Sequence, residues 1–552
     1  MKKRRLFSLI MALTVTLFAT AAEKQDINLI PYPQELILTG GTFRASGAPV
    51  NCDSSLGEDA VKAVKRFASS LSFDCVKPSS FATPYGLAAT AAKGAVKGFA
   101  FIKDSSLKEG AYGIDITRRA VVVRASGFNG ILYAIQTINQ LLPKEIYKKV
   151  EAPKADWTIP CMSIKDEPRF AWRGILLDSG RHFWSIEEVK KILDAMEIYK
   201  MNRFHWHLTE DQGWRIEIKK YPRLTEVGAY RRGTMIGRDF KSCDNIRYGG
   251  YYTQDQLREV VAYAAERGIT IVPEIDIPGH MLAALAAYPE IGCTGGPYEV
   301  WTRWGVSPQV ICPGKEVTFE FLENVFTELT EIFPGEYIHI GGDECPKTEW
   351  EQSAECQAKI AELGLVTDEK ATAEQRLQNY VTKRIQDFLA TKGRKVIGWD
   401  EILEGDLAPG ATVMSWRGTK GGIEAAGKGF DVIMTPNEFC YYNYAQSEDL
   451  DNEPLAQNRS PKSSITLEKA YGYDPLDGIP DGAQDRVLGV QANMWTEYIA
   501  EPEHLEYMFF PRLLAMSEVQ WCRPSVKDYD RFKASALGRH IEILDFLGYN
   551  HK

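Results

Sequence analysis

From Phe170 onward, short runs rich in β-branched and aromatic residues alternate with amphipathic helical patterns. This alternation is typical of βα units whose strands form a parallel sheet. An open, doubly wound sheet alternates in the same way, but the absence of a glycine-rich first turn in this sequence disfavours it. The runs number eight, as in a closed (β/α)8 TIM barrel, and cover residues 172–178, 202–208, 269–275, 336–341, 395–399, 412–416, 431–434 and 488–493. Helical patterns lie between them, for example at residues 186–199, 254–267, 319–333 and 374–391.

The segment before the barrel predicts a small α+β domain at residues 23–160. Residues 112–124 alternate apolar and polar side chains, which indicates a strand pair. A helical pattern at 132–142 follows them. Gly127 and Gly130, which lie between, allow a nucleotide-binding loop or a simple turn, and so short a motif favours the turn.

The first residues of the chain have the pattern of a signal peptide. A basic segment at 2–5 precedes an apolar run at 6–18 and small residues at 19–22. A membrane anchor is the alternative, but the run is shorter than the roughly 20 residues of a spanning helix. We therefore expect a signal peptide at 1–22 and an exported protein, periplasmic or extracellular, without a transmembrane segment.

A chain of 552 residues exceeds what one hydrophobic core usually organises. After the signal peptide and the α+β domain, we predict a catalytic barrel at 161–525 and a C-terminal helical tail at 526–552. The net charge of −9 argues against a nucleic-acid partner, which would favour a basic face. The oligomeric state stays open.

Ten cysteines are scattered without the paired spacing of a zinc site. Cys293 and Cys312 bracket a loop rich in glycine and tryptophan. Because export permits disulfides, a bond between these two is one hypothesis, although spacing alone cannot fix the pairing. Neither a metal nor a cofactor is expected.

The predicted barrel strands end in carboxylates and tryptophans. In such barrels the active site lies at the carboxyl ends of the strands. Tryptophan faces stack on sugar rings, and carboxylates and arginine bind hydroxyls, so this pattern indicates a carbohydrate pocket. The residues at these ends are Asp178, Glu210, Asp211, Asp276, Asp343, Glu344, Trp399, Asp400, Trp416, Trp495 and Glu497.

The most specific motif is the segment 339–344, His-Ile-Gly-Gly-Asp-Glu. Its two glycines permit a tight turn, so that Asp343 and Glu344 can both face a pocket. Glycosidic cleavage needs a proton donor and a group that stabilises positive charge at the sugar. We expect Asp343 to raise the pKa of Glu344, the predicted donor. An Asp-Glu pair that caps the next helix is the alternative, and the motif alone does not separate the two.

Several motifs in sequence order closely resemble glycoside hydrolase family 20. The resemblance covers about residues 168–521, and the segment 30–33 resembles the small accessory domain of that family. The motifs are the segments 173–183, 205–215, 276–280, 341–344, 399–401 and 495–497.

The resemblance implies an exo-acting, retaining β-N-acetylhexosaminidase. Its substrate would be a glycan with terminal β-linked N-acetylglucosamine or N-acetylgalactosamine. In this family the 2-acetamido oxygen of the substrate is the nucleophile and forms an oxazolinium ion. Asp343 would orient the acetamido N–H, Tyr441 would bond its carbonyl, and Glu344 would act as acid and then base.

The resemblance also assigns the remaining pocket residues. Arg181 and Glu497 would bind the non-reducing-end hydroxyls, and His280 with Glu210 would hydrogen-bond towards Glu344. The sugar would be enclosed by Trp399, Trp416 and Trp495. Two positions depart from the family pattern, which often has Asp at both Glu210 and Asn443. The Glu210 departure puts in doubt how far the hydrogen bonds from Glu210 through His280 extend towards Glu344. The Asn443 departure puts in doubt the contact to the outer hydroxyls of the sugar.

Three other functions are less well supported. A metal-dependent hydrolase could use His205 and His207, which lie on one face of a strand, with His280 and His339. However, no histidine ends the fifth or sixth strand. A non-catalytic glycan-binding protein would not need the two carboxylates and Tyr441. The Asp-x-x-Asp-x-Asp-x-Glu motif of a family 18 chitinase is absent.

Overall fold

The computed structural model describes residues 27–71, 81–82, 96–148, 156–405 and 407–552. The predicted signal peptide lies outside these residues. Within the described ranges, no helix combines the length and the apolar character that crossing a membrane requires.

The N-terminal part is a seven-stranded mixed sheet in the order β1-β7-β5-β6-β4-β2-β3. Helices α1 (Glu58–Ser70) and α2 (Phe128–Leu141) pack together, and α2 contacts β5 and β6. The strands are β1 (Glu35–Arg44), β2 (Val50–Cys52), β3 (Phe81–Ala82), β4 (Gly98–Lys103), β5 (Tyr112–Ile116), β6 (Ala120–Ala125) and β7 (Thr158–Asp166).

The predicted strand pair is confirmed, since β5 and β6 run antiparallel with Ile114 opposite Val123. Of the two glycines that follow, Gly127 precedes α2 and Gly130 has a packing role. A Cβ on Gly130 would lie 2.6 Å from the Ala111 carbonyl oxygen, so glycine allows α2 to approach the sheet closely. This explains the Gly-x-x-Gly motif as a turn into a packed helix.

The predicted (β/α)8 barrel is confirmed. Eight parallel strands close in chain order, and the side chains of the first are all buried, as expected of a strand covered on both faces. The strands are β8 (Trp172–Asp178), β9 (Arg203–His207), β10 (Thr270–Glu274), β11 (Tyr337–His339), β12 (Lys395–Trp399), β13 (Thr412–Ser415), β14 (Val432–Met434) and β15 (Val487–Met494).

The longer helices of this part surround the barrel or follow it. They are α3 (Ile186–Ile198), α4 (Gln254–Ala265), α5 (Glu316–Ile332), α6 (Ala354–Leu363), α7 (Ala373–Thr391), α8 (Lys420–Gly427), α9 (Pro502–Phe509), α10 (Arg512–Trp521) and α11 (Leu537–Leu547). Shorter helices are Arg223–Glu226, Leu282–Ala287, Thr348–Gln352, Asn437–Cys440, Leu467–Gly472 and Tyr529–Arg531. Short strands outside the barrel are Thr209–Glu210, Gly213–Trp214, Tyr230–Arg231, Met235–Ile236, Asp239–Cys243 and Tyr248–Gly249.

A buried polar cluster joins the N-terminal sheet to the barrel. Lys200 Nζ donates to Tyr112 Oη at 2.7 Å and to Asp166 Oδ2 at 3.3 Å. Trp521 Nε1 donates to Asp166 Oδ1 at 2.9 Å. Because each charged group has a partner of opposite charge, its burial cost is offset and the two parts are held in one orientation. The domain boundaries at residues 160 and 525 themselves stay predictions.

Candidate active site

A cavity of about 390 Å³ opens at the carboxyl ends of the barrel strands. Eight of the eleven predicted site residues line it, namely Arg181, Asp343, Glu344, Trp416, Tyr441, Asn443, Trp495 and Glu497. The other three, Glu210, His280 and Trp399, are buried just behind them. The cavity is also lined by residues outside the barrel strands that the sequence did not single out, namely Arg238, Phe240, Trp304, Gly305, Val306, Tyr444, Gln457, Arg459 and Tyr498.

The turn after β11 brings two consecutive carboxylates to the cavity. Gly341 and Gly342 have φ angles of 69° and 109°, and Glu344 has a φ of 45°. Positive φ is accessible to glycine and is uncommon for glutamate, a kind of backbone strain that clusters at functional sites. The next helix, Thr348–Gln352, begins after Lys347 without a side-chain cap. The helix-capping alternative for Asp343 and Glu344 is therefore wrong.

Gly341 to alanine is expected to disrupt this turn. A Cβ there would lie 1.7 Å from Asp276 Oδ1, in addition to the strain of the positive φ. The control is Gly364→Ala, because Gly364 has a similar φ of 64° but nothing within 4 Å of an added Cβ. We expect a stability loss of about 1–3 kcal/mol for Gly341→Ala beyond that of the control, measured by urea unfolding. Equal losses would contradict the steric argument.

His280 lies between the cavity carboxylates and two buried acids. Its Nε2 is 3.6 Å from both Asp343 Oδ2 and Glu344 Oε2. Its Nδ1 is 3.1 Å from Glu210 Oε1 and 3.6 Å from Asp211 Oδ2. Burial opposes a charge on the ring, but Glu210 and the other acids outweigh it and raise the pKa of His280 well above 6.5. His280 is therefore a cation at neutral pH.

The two catalytic candidates are shifted in opposite directions. Burial, opposed in part by His280, raises the pKa of Asp343 to about 6. The His280 ring, whose Nε2 faces the carboxylate at 3.6 Å, lowers the pKa of Glu344 below its usual 4.5. The expectation that Asp343 raises the pKa of Glu344 is thus wrong for the free protein. Both carboxylates lie 3.6 Å from His280, but the Asp343 side chain is only 13% exposed and burial dominates there, whereas that of Glu344 is 41% exposed and the effect of His280 dominates.

Arg181 is held by buried acids behind the cavity wall. One of its terminal nitrogens lies 2.5 Å from Glu210 Oε1 and the other 3.5 Å from Asp178 Oδ2. Although burial disfavours its charge, Glu210, Asp178 and Glu497 raise the pKa of Arg181 further above its usual range. Arg181 therefore pairs with Asp178 behind the wall and also lines the cavity.

Aromatic rings form one wall of the cavity. Trp416 and Tyr441 stack with ring centroids 6.0 Å apart and planes 13° apart. Trp495 lies next to them, 6.2 Å from Tyr441. Trp399 is placed differently from the prediction of an enclosing residue, since it is 1% exposed beneath Trp495, with centroids 5.7 Å apart. Its contribution is to support the wall.

Glu274, which no sequence motif marked, is fully buried below the cavity. His205 Nε2 and His339 Nδ1 each lie 2.9 Å from its carboxylate, and His207 Nδ1 lies 2.5 Å from it. Trp399 Nε1 donates to it at 2.9 Å. The His-x-His pair of the metal alternative thus faces one buried carboxylate, to which His207 Nδ1 is hydrogen-bonded, while His205 Nδ1 is hydrogen-bonded to Gln491. The sequence signal was available, because Glu274 pairs in register with His207 on the neighbouring strand.

Several buried polar atoms of the cavity have no protein partner among the described residues. They include Asp343 Oδ1, Asn443 Oδ1 and Glu497 Oε2. Buried polar groups are nearly always hydrogen-bonded, so atoms of this kind at a cavity indicate a polar ligand. Positive charge on Arg181, acceptors on the carboxylates and apolar rings together suit a ligand with hydroxyl and amide groups.

Family comparisons cover nearly the whole described chain. Residues 170–524 match the model described as Glycosyl hydrolase family 20, catalytic domain. Residues 26–167 match Glycosyl hydrolase family 20, domain 2.

Curated relatives are similar over most of this chain. It is 44% identical over 446 residues to a beta-hexosaminidase of Porphyromonas gingivalis, covering 81% of this chain and 55% of the relative. It is 38% identical over 417 residues to a beta-hexosaminidase of Vibrio furnissii, covering 75% of this chain and 65% of the relative. The alignments therefore span less than two thirds of the length of these two relatives.

Solved structures share the fold. A GH20 exo β-N-acetylglucosaminidase of Vibrio harveyi, in complex with N-acetylglucosamine, superposes with a TM-score of 0.80 at 32% identity. That match covers 96% of this chain and 78% of the other. A GH20 β-N-acetylhexosaminidase of Streptomyces coelicolor superposes with a TM-score of 0.78 at 29% identity, covering 95% and 97%. With both family models matched and the barrel in place, the chain belongs to glycoside hydrolase family 20.

Proposed function

We propose that the protein is an exo-acting, retaining β-N-acetylhexosaminidase. It releases terminal β-linked N-acetylglucosamine from glycans, with N-acetylgalactosamine as the alternative sugar at the same site. The observation that carries the proposal is the Asp343–Glu344 pair, bridged by the cationic His280 at the edge of a cavity walled by aromatic rings. The sugar named in the Vibrio harveyi complex fits this chemistry.

In the proposed mechanism the substrate supplies its own nucleophile. The 2-acetamido oxygen attacks the anomeric carbon, and the oxazolinium ion that forms carries a positive charge. The buried carboxylate of Asp343 accepts the acetamido N–H and stabilises this charge. Tyr441 donates to the acetamido carbonyl oxygen and fixes its direction. Holding the oxygen against the carbon makes the step intramolecular.

Glu344 is the residue that transfers the proton in the proposed mechanism. In the free protein the higher pKa of Asp343 means that a single proton shared by the pair lies mainly on Asp343. An N–H bond from the substrate favours the ionised form of Asp343, which moves the proton to Glu344. Glu344 then protonates the leaving oxygen and later deprotonates the incoming water, with net retention.

The exo action is assigned to Arg181 and Glu497. Arg181 lines the cavity and is held in place by Glu210. Glu497 Oε2 is buried without a hydrogen-bond partner among the residues that the structure describes. Both suit hydroxyls at the non-reducing end of the sugar, and their contact blocks further extension of the chain. Asn443 Oδ1 is a third polar atom available to these hydroxyls.

The role of the acetamido group is tested with matched substrates. We expect the purified protein to hydrolyse p-nitrophenyl N-acetyl-β-D-glucosaminide at least about 1,000-fold faster than p-nitrophenyl β-D-glucoside, because only the first carries the internal nucleophile. NMR should show the β-anomer as the first product. Equal rates on both substrates would contradict substrate assistance. No turnover of either would favour a glycan-binding protein.

The pH dependence of kcat/KM follows from the coupled carboxyl pair. The productive form carries one proton, so activity falls when the pair loses it near the Asp343 pKa of about 6. A second fall is expected at lower pH, below the usual glutamate value of 4.5, when both carboxyls are protonated. The measurement is a pH profile with N,N′-diacetylchitobiose. A plateau that extends through neutral pH would contradict the shared-proton argument.

We also propose that residues 1–22 direct export to the periplasm or the exterior. The support is the basic, apolar and small-residue pattern of this segment. N-terminal sequencing of the protein from a fractionated culture tests this. A mature protein that begins near residue 23 is expected, and an intact leader on cytoplasmic protein would contradict it.

A further inference from the structure

Three cysteine sulfurs meet at the base of the loop formed by residues 293–312. The Sγ atoms of Cys312 and Cys356 are 3.5 Å apart, and those of Cys293, Cys312 and Cys356 all lie within 4.8 Å of one another. All three are free thiols. The disulfide hypothesised between Cys293 and Cys312 is therefore not formed, and a third sulfur, more than 40 residues away in sequence from both, completes the group.

The spacing of the sulfurs fits a metal ion better than a disulfide. A disulfide needs about 2.05 Å between sulfurs. Zinc–thiolate bonds are about 2.3 Å long, so three sulfurs arranged around one ion are separated by about 4 Å. The observed separations, from 3.5 Å to no more than 4.8 Å, bracket that distance.

The three cysteines come from separately fixed segments. Cys293 follows the turn Pro289–Ile291, and the Gly292–Ile311 bridge holds Cys312 close to it. Cys356 lies in the first turn of α6, where its N–H donates to Ser353 Oγ at 3.2 Å. Trp350 Nε1 donates to the Ile311 carbonyl at 2.9 Å. These contacts orient the sulfurs in advance, as hydrogen bonds around metal ligands do.

The N-terminal end of α6 lies next to two of the three sulfurs. Cys312 and Cys356 lie at the N-terminal end of α6, where the helix dipole stabilises negative charge. Ser353 Oγ lies 3.8 Å from the Cys312 sulfur. Gly314 packs directly on this helix end, since a Cβ on it would lie 2.3 Å from the Glu355 carbonyl carbon.

We propose that Cys293, Cys312 and Cys356 bind one soft metal ion, of the Zn²⁺ or Cu⁺ class, through three thiolates. Thiolates select such ions over hard cations. The bound ion would tie both ends of the 293–312 loop to α6.

The loop connects this site to the cavity. Trp304 lines the cavity wall. Ser307 N donates to Asp211 Oδ2 at 3.2 Å, and Trp301 N donates to the Asp211 carbonyl at 3.0 Å. Asp211 in turn faces His280 at 3.6 Å. Metal binding would therefore hold in place a loop that contacts the catalytic network.

The test uses the full-length protein, reduced, free of metal and kept under argon. Cd²⁺ is titrated while the ultraviolet thiolate-to-metal charge-transfer absorption is recorded, and Zn²⁺ and Cu⁺ are then tested in separate competition titrations. We expect one ion per chain in the wild type. Cys293→Ser and Cys356→Ser should each weaken binding by about 100-fold or more. Cys161→Ser, a buried cysteine of the N-terminal sheet, should bind as the wild type does.

A second measurement reports on the mobility of the 293–312 loop. Arg303 is exposed within it, so we expect the bound ion to slow tryptic cleavage after Arg303 by about tenfold or more in the wild type, and not in Cys293→Ser. Circular dichroism establishes that each variant is folded. The proposal is overturned if fully reduced wild type binds no stoichiometric ion, or if folded Cys293→Ser and Cys356→Ser bind like the wild type. Competition by Zn²⁺ or by Cu⁺ identifies the ion that the site prefers.

Discussion

Replacing Glu344 by glutamine is expected to lower kcat/KM for N,N′-diacetylchitobiose by about two to four orders of magnitude. Glutamine has nearly the same shape and can keep a polar contact with His280 Nε2, which lies 3.6 Å from the carboxylate. It cannot release a proton to the leaving oxygen. Because a sugar alkoxide leaves poorly without that proton, the first step is blocked. The measurement is sugar release at saturating and limiting substrate, which separates kcat from KM.

The leaving group provides an internal control for this variant. With 2,4-dinitrophenyl N-acetyl-β-D-glucosaminide, whose leaving group needs little protonation, the loss should be much smaller than with the disaccharide. Glu362→Gln, at an exposed glutamate that pairs only with Lys359 in the described structure, should match the wild type on both substrates. A uniform loss on both substrates would assign Glu344 to binding, and no loss on either would remove it from the mechanism.

The fold was predictable because its signals are local. Most barrel strands are short runs of apolar residues, and the rule that sites lie at strand ends needs no coordinates. The predicted strand at 336–341 is shorter in the structure, because Gly341 adopts a positive φ and leaves the extended conformation. The same conformation turns Asp343 and Glu344 into the cavity. The turn that ends the strand earlier than predicted is therefore also the turn that forms the site.

Properties that depend on packing between distant segments were not predictable. The direction in which the pKa of Glu344 shifts depends on its exposure and on His280, which lies in the segment after a different strand, β10. Cys356 lies close to Cys293 and Cys312 only because of the position at which α6 packs. The cavity residues Arg238 and Trp304 lie on loops, whose positions hydrophobic periodicity does not encode.

Replacing Asp343 by asparagine is expected to lower kcat/KM by about two to three orders of magnitude. The side chain is 13% exposed. Because little water reaches the site, its negative charge strongly stabilises the positive charge of the oxazolinium ion. Asparagine fills the same space and can accept the acetamido N–H through its oxygen, but it carries no charge. The measurement is hydrolysis of the dinitrophenyl substrate and of chitobiose by the same preparation.

The substrate dependence of this loss separates the two carboxyls. Charge develops on the acetamido group whichever group leaves, so Asp343→Asn should lose activity on the dinitrophenyl substrate nearly as strongly as on chitobiose. Glu344→Gln should instead lose much less activity on the dinitrophenyl substrate than on chitobiose. The alkaline limb of the residual chitobiose activity should also move from about pH 6 to lower pH, because the pKa of Glu344 lies below 4.5 without a shared proton. If both variants instead showed the same dependence on the leaving group, Asp343 would share the proton-transfer role, and the division of labour proposed for the pair would be wrong.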